Sequence, residues 1–129
     1  MPIDKLGIRV LVVDDERLIA DTLALILNKS GFETVAAYSG AKAVELAEVL
    51  KPNVLISDVI MEGMNGVEAA IRISASLPGC RVILFSGNAA TEDLLHGVEA
   101  KGHRFELIGK PIHPRVLLDR LARSPSIPA

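Results

Sequence analysis

The 129-residue sequence lacks the features that mark several protein classes. Aromatic residues make up only 3% of it and tryptophan is absent, so we expect a core of aliphatic side chains. A single cysteine, Cys80, cannot form a disulfide within the chain, which is typical of a reducing compartment. No apolar run approaches the roughly 18 residues of a membrane span, and the first residues lack the apolar region of a signal peptide. We therefore expect a cytoplasmic protein that has no membrane partner.

The chain also lacks an excess of charge of either sign. Its formal net charge is -2, so composition gives no indication of direct nucleic-acid binding. Half of the residues are hydrophobic, and the length suits one domain of common size. We expect that domain over residues 1–123, followed by a Ser- and Pro-rich tail or linker stub over residues 124–129.

Short apolar runs alternate with helical patterns along the chain. Strands are predicted at about residues 8–13, 33–37, 54–57, 81–85 and 104–108. Helices are predicted at about residues 17–30, 41–50, 67–76, 91–101 and 114–123. This alternation indicates an α/β fold of the (βα)5 type, with a doubly wound, parallel five-stranded sheet covered on both faces. Among the few topologies that right-handed crossovers allow, we predict the flavodoxin-like strand order 2-1-3-4-5.

Three aspartates end two of the predicted strands. Asp14 and Asp15 follow the first strand, and Asp58 follows the third. In the predicted order these strands are neighbours, and their carboxyl ends lie at the edge where open α/β sheets bind ligands. Carboxylates repel one another unless a cation or a proton intervenes, and oxygen ligands suit Mg²⁺. The sequence therefore predicts a magnesium site, although Asp15 or Glu16 could instead cap the first helix.

A serine and a lysine complete the predicted site. Ser86 follows the fourth predicted strand and Lys110 follows the fifth. A carboxylate can attack phosphorus to form an acyl phosphate, and Mg²⁺, an ammonium group and a hydroxyl can stabilise the three phosphoryl oxygens. A flavin or nucleotide carrier is a weaker alternative, because acids after the first strand would repel phosphate. A phosphohydrolase with an aspartyl nucleophile would need an acid/base next to the nucleophile and a substrate cap.

The motifs together resemble the receiver domain of two-component response regulators, of the stand-alone, chemotaxis-regulator-like kind. They are Asp14-Asp15, the segment Asp58-Val-Ile-Met-Glu-Gly-Met-Asn-Gly66, Ser86-Gly87 and Lys110-Pro111. The resemblance covers about residues 8–123. It implies a switch rather than an enzyme, one that catalyses only its own phosphorylation and dephosphorylation. Its implied partners are a sensor histidine kinase or phosphotransfer protein and an unidentified downstream protein, with the domain itself a monomer or weak homodimer.

The resemblance also implies a role for each site residue. Asp58 would accept the phosphoryl group and, with Asp15, bind Mg²⁺ directly. Asp14 would reach the metal through water, and the backbone carbonyl of Ile60 would be a further ligand. The phosphoryl group would be bound by Ser86 and Lys110, the peptide bond before Pro111 would be cis, and a face built from the fourth helix, fifth strand and fifth helix would change partner binding.

Two positions depart from the pattern of that family. Glu62 stands where a proline is usual, which would loosen the loop and add a fourth acid near the site. Leu107 stands where Tyr or Phe is usual, and Phe105 lies two residues earlier on the same strand face. These departures leave open the alternative of a degenerate receiver that serves as a docking module without phosphotransfer.

Overall fold

The computed structural model describes residues 7–87 and 105–123. The strands are β1 (Arg9–Val13), β2 (Glu33–Ala37), β3 (Val54–Asp58), β4 (Arg81–Ser86) and β5 (Glu106–Gly109). The helices are α1 (Arg17–Lys29), α2 (Gly40–Leu50), α3 (Gly66–Ser76) and α4 (Pro114–Ala122). The helix predicted over residues 91–101, the first residue of the fifth predicted strand and the tail over residues 124–129 lie outside the described residues.

The five strands form one parallel sheet in the order β2-β1-β3-β4-β5, so the predicted fold class and strand order are confirmed. β1 and β3 are neighbours, with Val10 opposite Val54 and Val13 opposite Ser57. Because parallel strands in register end at the same edge, the residues that follow Val13 and Ser57 lie side by side. That edge is the carboxyl edge of the sheet.

Alternate strand residues face opposite sides of the sheet, and each side has its own aliphatic cluster. One cluster packs strand residues such as Leu11 and Leu55 against residues of α2 and α3. The other packs Val12, Ile56 and Ile83 against residues of α1 and α4. Side chains buried on both faces explain why the central strands read as continuous apolar runs. The described residues thus form the two covered faces that the alternating pattern predicts.

Helix α1 ends where the sequence indicates a stop. Gly31 has a φ of +103°, its N–H donates to the carbonyl of Asn28, and the N–H of Phe32 donates to the carbonyl of Leu27. This pair of bonds is a Schellman motif, which favours glycine because L side chains avoid that backbone conformation. The turn directs the chain into β2. At 13 residues α1 is the longest described helix, and none of the described helices has the length and apolarity that crossing a membrane requires.

The amino ends of β4 and β5 carry a buried ion pair. The Glu106 carboxylate, which is almost fully buried, contacts Arg81 Nε at 2.6 Å and Arg81 Nη2 at 2.8 Å. Arg81 also donates to the carbonyls of Arg120 and Arg123, each at 2.9 Å, and Arg120 Nη1 lies 3.8 Å from Glu106. Both ions are therefore well bonded, and the pair joins two strands to the last turn of α4.

Candidate functional site

The three predicted aspartates meet at the carboxyl edge of the sheet. Asp14 and Asp15 directly follow β1, and Asp58 is the last residue of β3. One carboxylate oxygen of each lies within 4.8 Å of the other two. Asp14 and Asp58 are buried, whereas Asp15 is exposed. The cluster thus has two carboxylates set into the protein and one at its mouth.

Asp14 is the least satisfied member of this cluster. It is fully buried, and its Oδ1 accepts a hydrogen bond from the N–H of Glu16 at 2.9 Å, but its Oδ2 has no hydrogen-bond partner among the described residues. The pKa of Asp14 is raised to about 6, mainly by burial and in addition by the negative charges of Asp58 and Asp15, while the hydrogen bond from Glu16 and the charge of Lys110 oppose the rise. A buried carboxylate oxygen without a partner is costly. A divalent cation among these three acids would compensate it, so the donor set fits Mg²⁺.

The alternative role for Asp15 and Glu16 as caps of α1 is wrong. Glu16 occupies the N-cap position, but its side chain makes no capping hydrogen bond. The Asp15 carboxylate instead accepts a hydrogen bond from the N–H of Glu62, at 3.2 Å. The carboxylate that accepts a backbone hydrogen bond just before α1 belongs to Asp14, which bonds the N–H of Glu16.

Asp58 forms an ion pair inside this edge. Lys110 Nζ lies 3.1 Å from Asp58 Oδ2, and the same ammonium lies 5.4 Å from the centre of the Phe85 ring. Burial raises the pKa of Asp58, and the charge of Asp15 adds to the rise. The hydrogen bond and charge of Lys110, together with a hydrogen bond from the Ile60 backbone, oppose it. Lys110 is about a third exposed, so its ammonium reaches both the acid and solvent.

Ser86 and Lys110 are held next to each other by the main chain. Ser86 is the last residue of β4, is buried, and lies opposite Gly109 of β5. Its carbonyl accepts a hydrogen bond from the Lys110 N–H at 3.1 Å. The peptide bond between Lys110 and Pro111 is cis. The ends of β4 and β5 therefore bring the predicted hydroxyl and ammonium to the same edge as the aspartates.

Gly66 is part of the motif at the site, but the sequence alone does not show why this position requires glycine. Its N–H donates to the carbonyl of Val59 at 2.8 Å, which closes the loop after Asp58. A Cβ at this position would lie 1.9 Å from the backbone oxygen of Asp58. Only glycine therefore allows α3 to start so close to the end of β3.

The residues at the remaining predicted positions surround this cluster. Ile60 is 54% exposed, and its backbone N–H donates to the Asp58 carboxylate. The carboxylate of Glu62 is not one of the three that cluster among the described residues. Leu107 and Phe105 are both half-buried and pack against the cluster on the α2 and α3 side of the sheet.

Comparisons with known proteins agree with this geometry. The sequence profile of the response regulator receiver domain matches residues 10–122. The DNA-binding response regulator MtrA of Mycobacterium bovis is 29% identical over 118 residues, which cover 92% of this chain and 50% of that protein. A cyclic di-GMP phosphodiesterase of Thermotoga maritima is 35% identical over 84% of this chain and 28% of its own length. The chain thus spans half or less of these two relatives.

A solved structure shows the same architecture. The chemotaxis protein CheY4 of Vibrio cholerae matches with a TM-score of 0.75 and 30% identity, over 88% of this chain and 94% of that one. The profile match covers most of the sequence, and the strand order and the acidic edge of the sheet are consistent with it. The chain therefore belongs to the family of receiver domains of two-component response regulators.

Proposed function

We propose that this receiver is phosphorylated on Asp58, in a Mg²⁺-dependent reaction, by a histidine kinase or a phosphotransfer protein. The observation that supports this best is the contact of Lys110 with Asp58 beside the carboxylates of Asp14 and Asp15. Because the Lys110 ammonium lies next to Asp58, a phosphoryl group on this carboxylate would have a positive charge beside it. The other two acids are then available to hold the cation.

The reaction that fits the site is a phosphoryl transfer to a carboxylate. An Asp58 oxygen forms a bond to phosphorus while the bond between phosphorus and the donor imidazole breaks. Asp15, Asp58 and the carbonyl of Ile60 would hold Mg²⁺, with Asp14 acting through water. The bound ion would neutralise negative charge on the phosphoryl oxygens. Lys110 shifts from pairing with the free carboxylate to pairing with the phosphoryl group, which the Ser86 hydroxyl also contacts.

The signal would leave the site through the strands that carry Ser86 and Lys110. Because the backbones of these two residues are bonded, movement of either affects the carboxyl ends of both β4 and β5. We propose that this alters a face that includes β5, α4 and the helix predicted over residues 91–101, which lies outside the described part. MtrA and the phosphodiesterase are named for different outputs, so the downstream partner of this receiver stays unidentified.

We further propose that residues 1–123 form the receiver and residues 124–129 a tail or linker. The receiver would catalyse only its own phosphorylation and dephosphorylation. The cytoplasmic location, the lack of direct nucleic-acid and membrane binding, and the monomer or weak homodimer stay predictions from the sequence.

Phosphorylation can be tested with a small donor. The chain is incubated with acetyl phosphate and Mg²⁺, and its intact mass is measured before and after mild base. We expect one phosphoryl group that is stable in acid, is lost in base, and is absent without Mg²⁺. Asp58→Asn should abolish the adduct, whereas Asp119→Asn, which removes an exposed carboxylate of α4, should keep it.

The same experiment tests the alternative of a docking module without phosphotransfer. Absence of an adduct with acetyl phosphate and with a second small donor, under conditions where the protein is folded, would support that alternative. Glu62 and Leu107 would then be features of a receiver that has lost the phosphotransfer reaction. An adduct that persists in Asp58→Asn would instead contradict the choice of acceptor.

A further inference from the structure

The main chain of Glu62 contacts the exposed acid of the site. The Glu62 N–H donates to Asp15 Oδ2 at 3.2 Å, across 47 positions of sequence. A proline at this position, as the family resemblance leads one to expect, has no N–H and cannot make this bond. The loop after Asp58 is therefore attached to the mouth of the acidic cluster by a bond that depends on residue 62 not being proline.

Each of the three carboxylates has a hydrogen bond that limits its rotation. Asp14 is bonded by the N–H of Glu16, and Asp58 by Lys110 and the backbone of Ile60. Asp15 is the exposed member, and the Glu62 N–H fixes one of its two oxygens. A carboxylate can accept this bond on one oxygen and still offer lone pairs to a cation. Hydrogen bonds of this kind orient metal ligands, and losing one typically weakens metal binding by about 10- to 100-fold.

We propose that the backbone N–H of Glu62 is a positioning group for Asp15, so that Mg²⁺ affinity depends on residue 62 through its main chain rather than its carboxylate. The inference rests on the proposed Mg²⁺ binding. Since the bond is exposed to water, we expect an effect near the lower end of that range. The rival explanation is electrostatic, in which the Glu62 carboxylate attracts the cation from a distance.

Two substitutions at the same position separate these explanations. Glu62→Gln removes the charge and keeps the N–H, whereas Glu62→Pro removes both. Isothermal titration of the whole chain with MgCl₂ should give an affinity for Glu62→Gln within about threefold of the wild type, with the difference shrinking at 1 M salt because exposed charges are screened. Glu62→Pro should bind about tenfold more weakly than Glu62→Gln at both salt concentrations. Equal affinities for the two variants would overturn the proposal.

A metal-free measurement tests the hydrogen bond itself and does not depend on how proline affects the loop. In Asp15→Ala, the Glu62 amide proton should move upfield and its shift should acquire the temperature dependence of a water-exposed amide. The Glu68 amide, which bonds to Asn65 Oδ1 at 2.8 Å, should not change. An unchanged Glu62 amide would contradict the proposal. If the wild type binds no Mg²⁺ while the amide responds as expected, the proposed function fails and the contact between Glu62 and Asp15 stands.

Discussion

The two edges of this sheet differ in how fully their buried charges are paired. At the amino edge, the buried carboxylate of Glu106 has two close bonds from Arg81, and Arg81 in turn bonds two carbonyls of the α4 end. At the carboxyl edge, three carboxylates lie together with the ammonium of Lys110, and Asp14 keeps an oxygen without a partner among the described residues. Both edges belong to the same five-stranded sheet.

The charges of the amino edge stabilise the fold, whereas those of the carboxyl edge would be stabilised by a bound cation. A buried ion whose hydrogen bonds are complete tolerates its desolvation, whereas buried like charges raise the free energy of the folded state. Asp14 and Asp58 have raised pKa values, mainly because burial desolvates their carboxylates and in addition because neighbouring acids repel them. The carboxyl edge is therefore destabilising without a cation, and the rest of the domain offsets this cost.

Removing the Arg81 side chain at the amino edge should have the largest effect on stability. Arg81→Ala leaves the Glu106 carboxylate buried without its main partner, so we expect the free energy of unfolding to fall by about 3–5 kcal/mol. Urea denaturation of the metal-free protein measures this. The matched control is Arg72→Ala, which breaks an exposed pair with Glu68 on α3 and should cost less than about 0.5 kcal/mol. Equal losses for the two variants would contradict the role of the amino edge.

Removing a charge from the carboxyl edge should have the opposite sign. The pKa of Asp14 is raised from 3.8 to about 6, so the folded state holds this proton more tightly than the unfolded state. The contribution of Asp14 to stability is therefore best below pH 4 and falls as pH rises through 6, by up to about 3 kcal/mol. Asp14→Asn should remove this loss.

The pH profile provides its own control. In EDTA, the difference in unfolding free energy between Asp14→Asn and the wild type should be small near pH 4 and favour the variant at pH 7. If the difference in unfolding free energy between Asp14→Asn and the wild type is the same at pH 7 as at pH 4, the buried charge is not the cause.

Adding Mg²⁺ should reduce the difference in stability between the two edges. At a Mg²⁺ concentration of 100 times its dissociation constant, the wild type should gain about 2.7 kcal/mol, because the ion binds the folded state. Asp15→Asn should lose most of this gain. Asp21→Asn, which alters an exposed acid bonded to Tyr38, should keep it, and so should Arg81→Ala. A full gain in Asp15→Asn would mean that Mg²⁺ binds elsewhere.

Much of this arrangement follows from local sequence patterns. The apolar runs and their alternation with helical segments predict the five strands and their order, and strand ends then bring Asp15, Asp58 and Lys110 to one edge. Strands β3, β4 and β5 each extend one residue beyond their predicted carboxyl ends, since Asp58 pairs with Phe85 and Ser86 with Gly109. These terminal residues are not hydrophobic, so the apolar runs that predict the strands end before them.

The remaining features depend on distances that sequence patterns do not encode. Arg81 and Glu106 lie 25 positions apart, and each reads as an ordinary charge at the start of a strand. The bond from the Glu62 main chain to Asp15 depends on the path of a loop. Such contacts depend on the three-dimensional path of the backbone, because any non-proline residue supplies the same N–H.

The central claim is that one acid of the carboxyl edge, Asp58, becomes an acyl phosphate. Borohydride reduces an aspartyl phosphate to homoserine, so reduction after treatment with acetyl phosphate and Mg²⁺, followed by peptide mass spectrometry, locates the modified residue. The account predicts homoserine at position 58, and none when Mg²⁺ is withheld. Homoserine at position 14 or 15, or at no position, would contradict it.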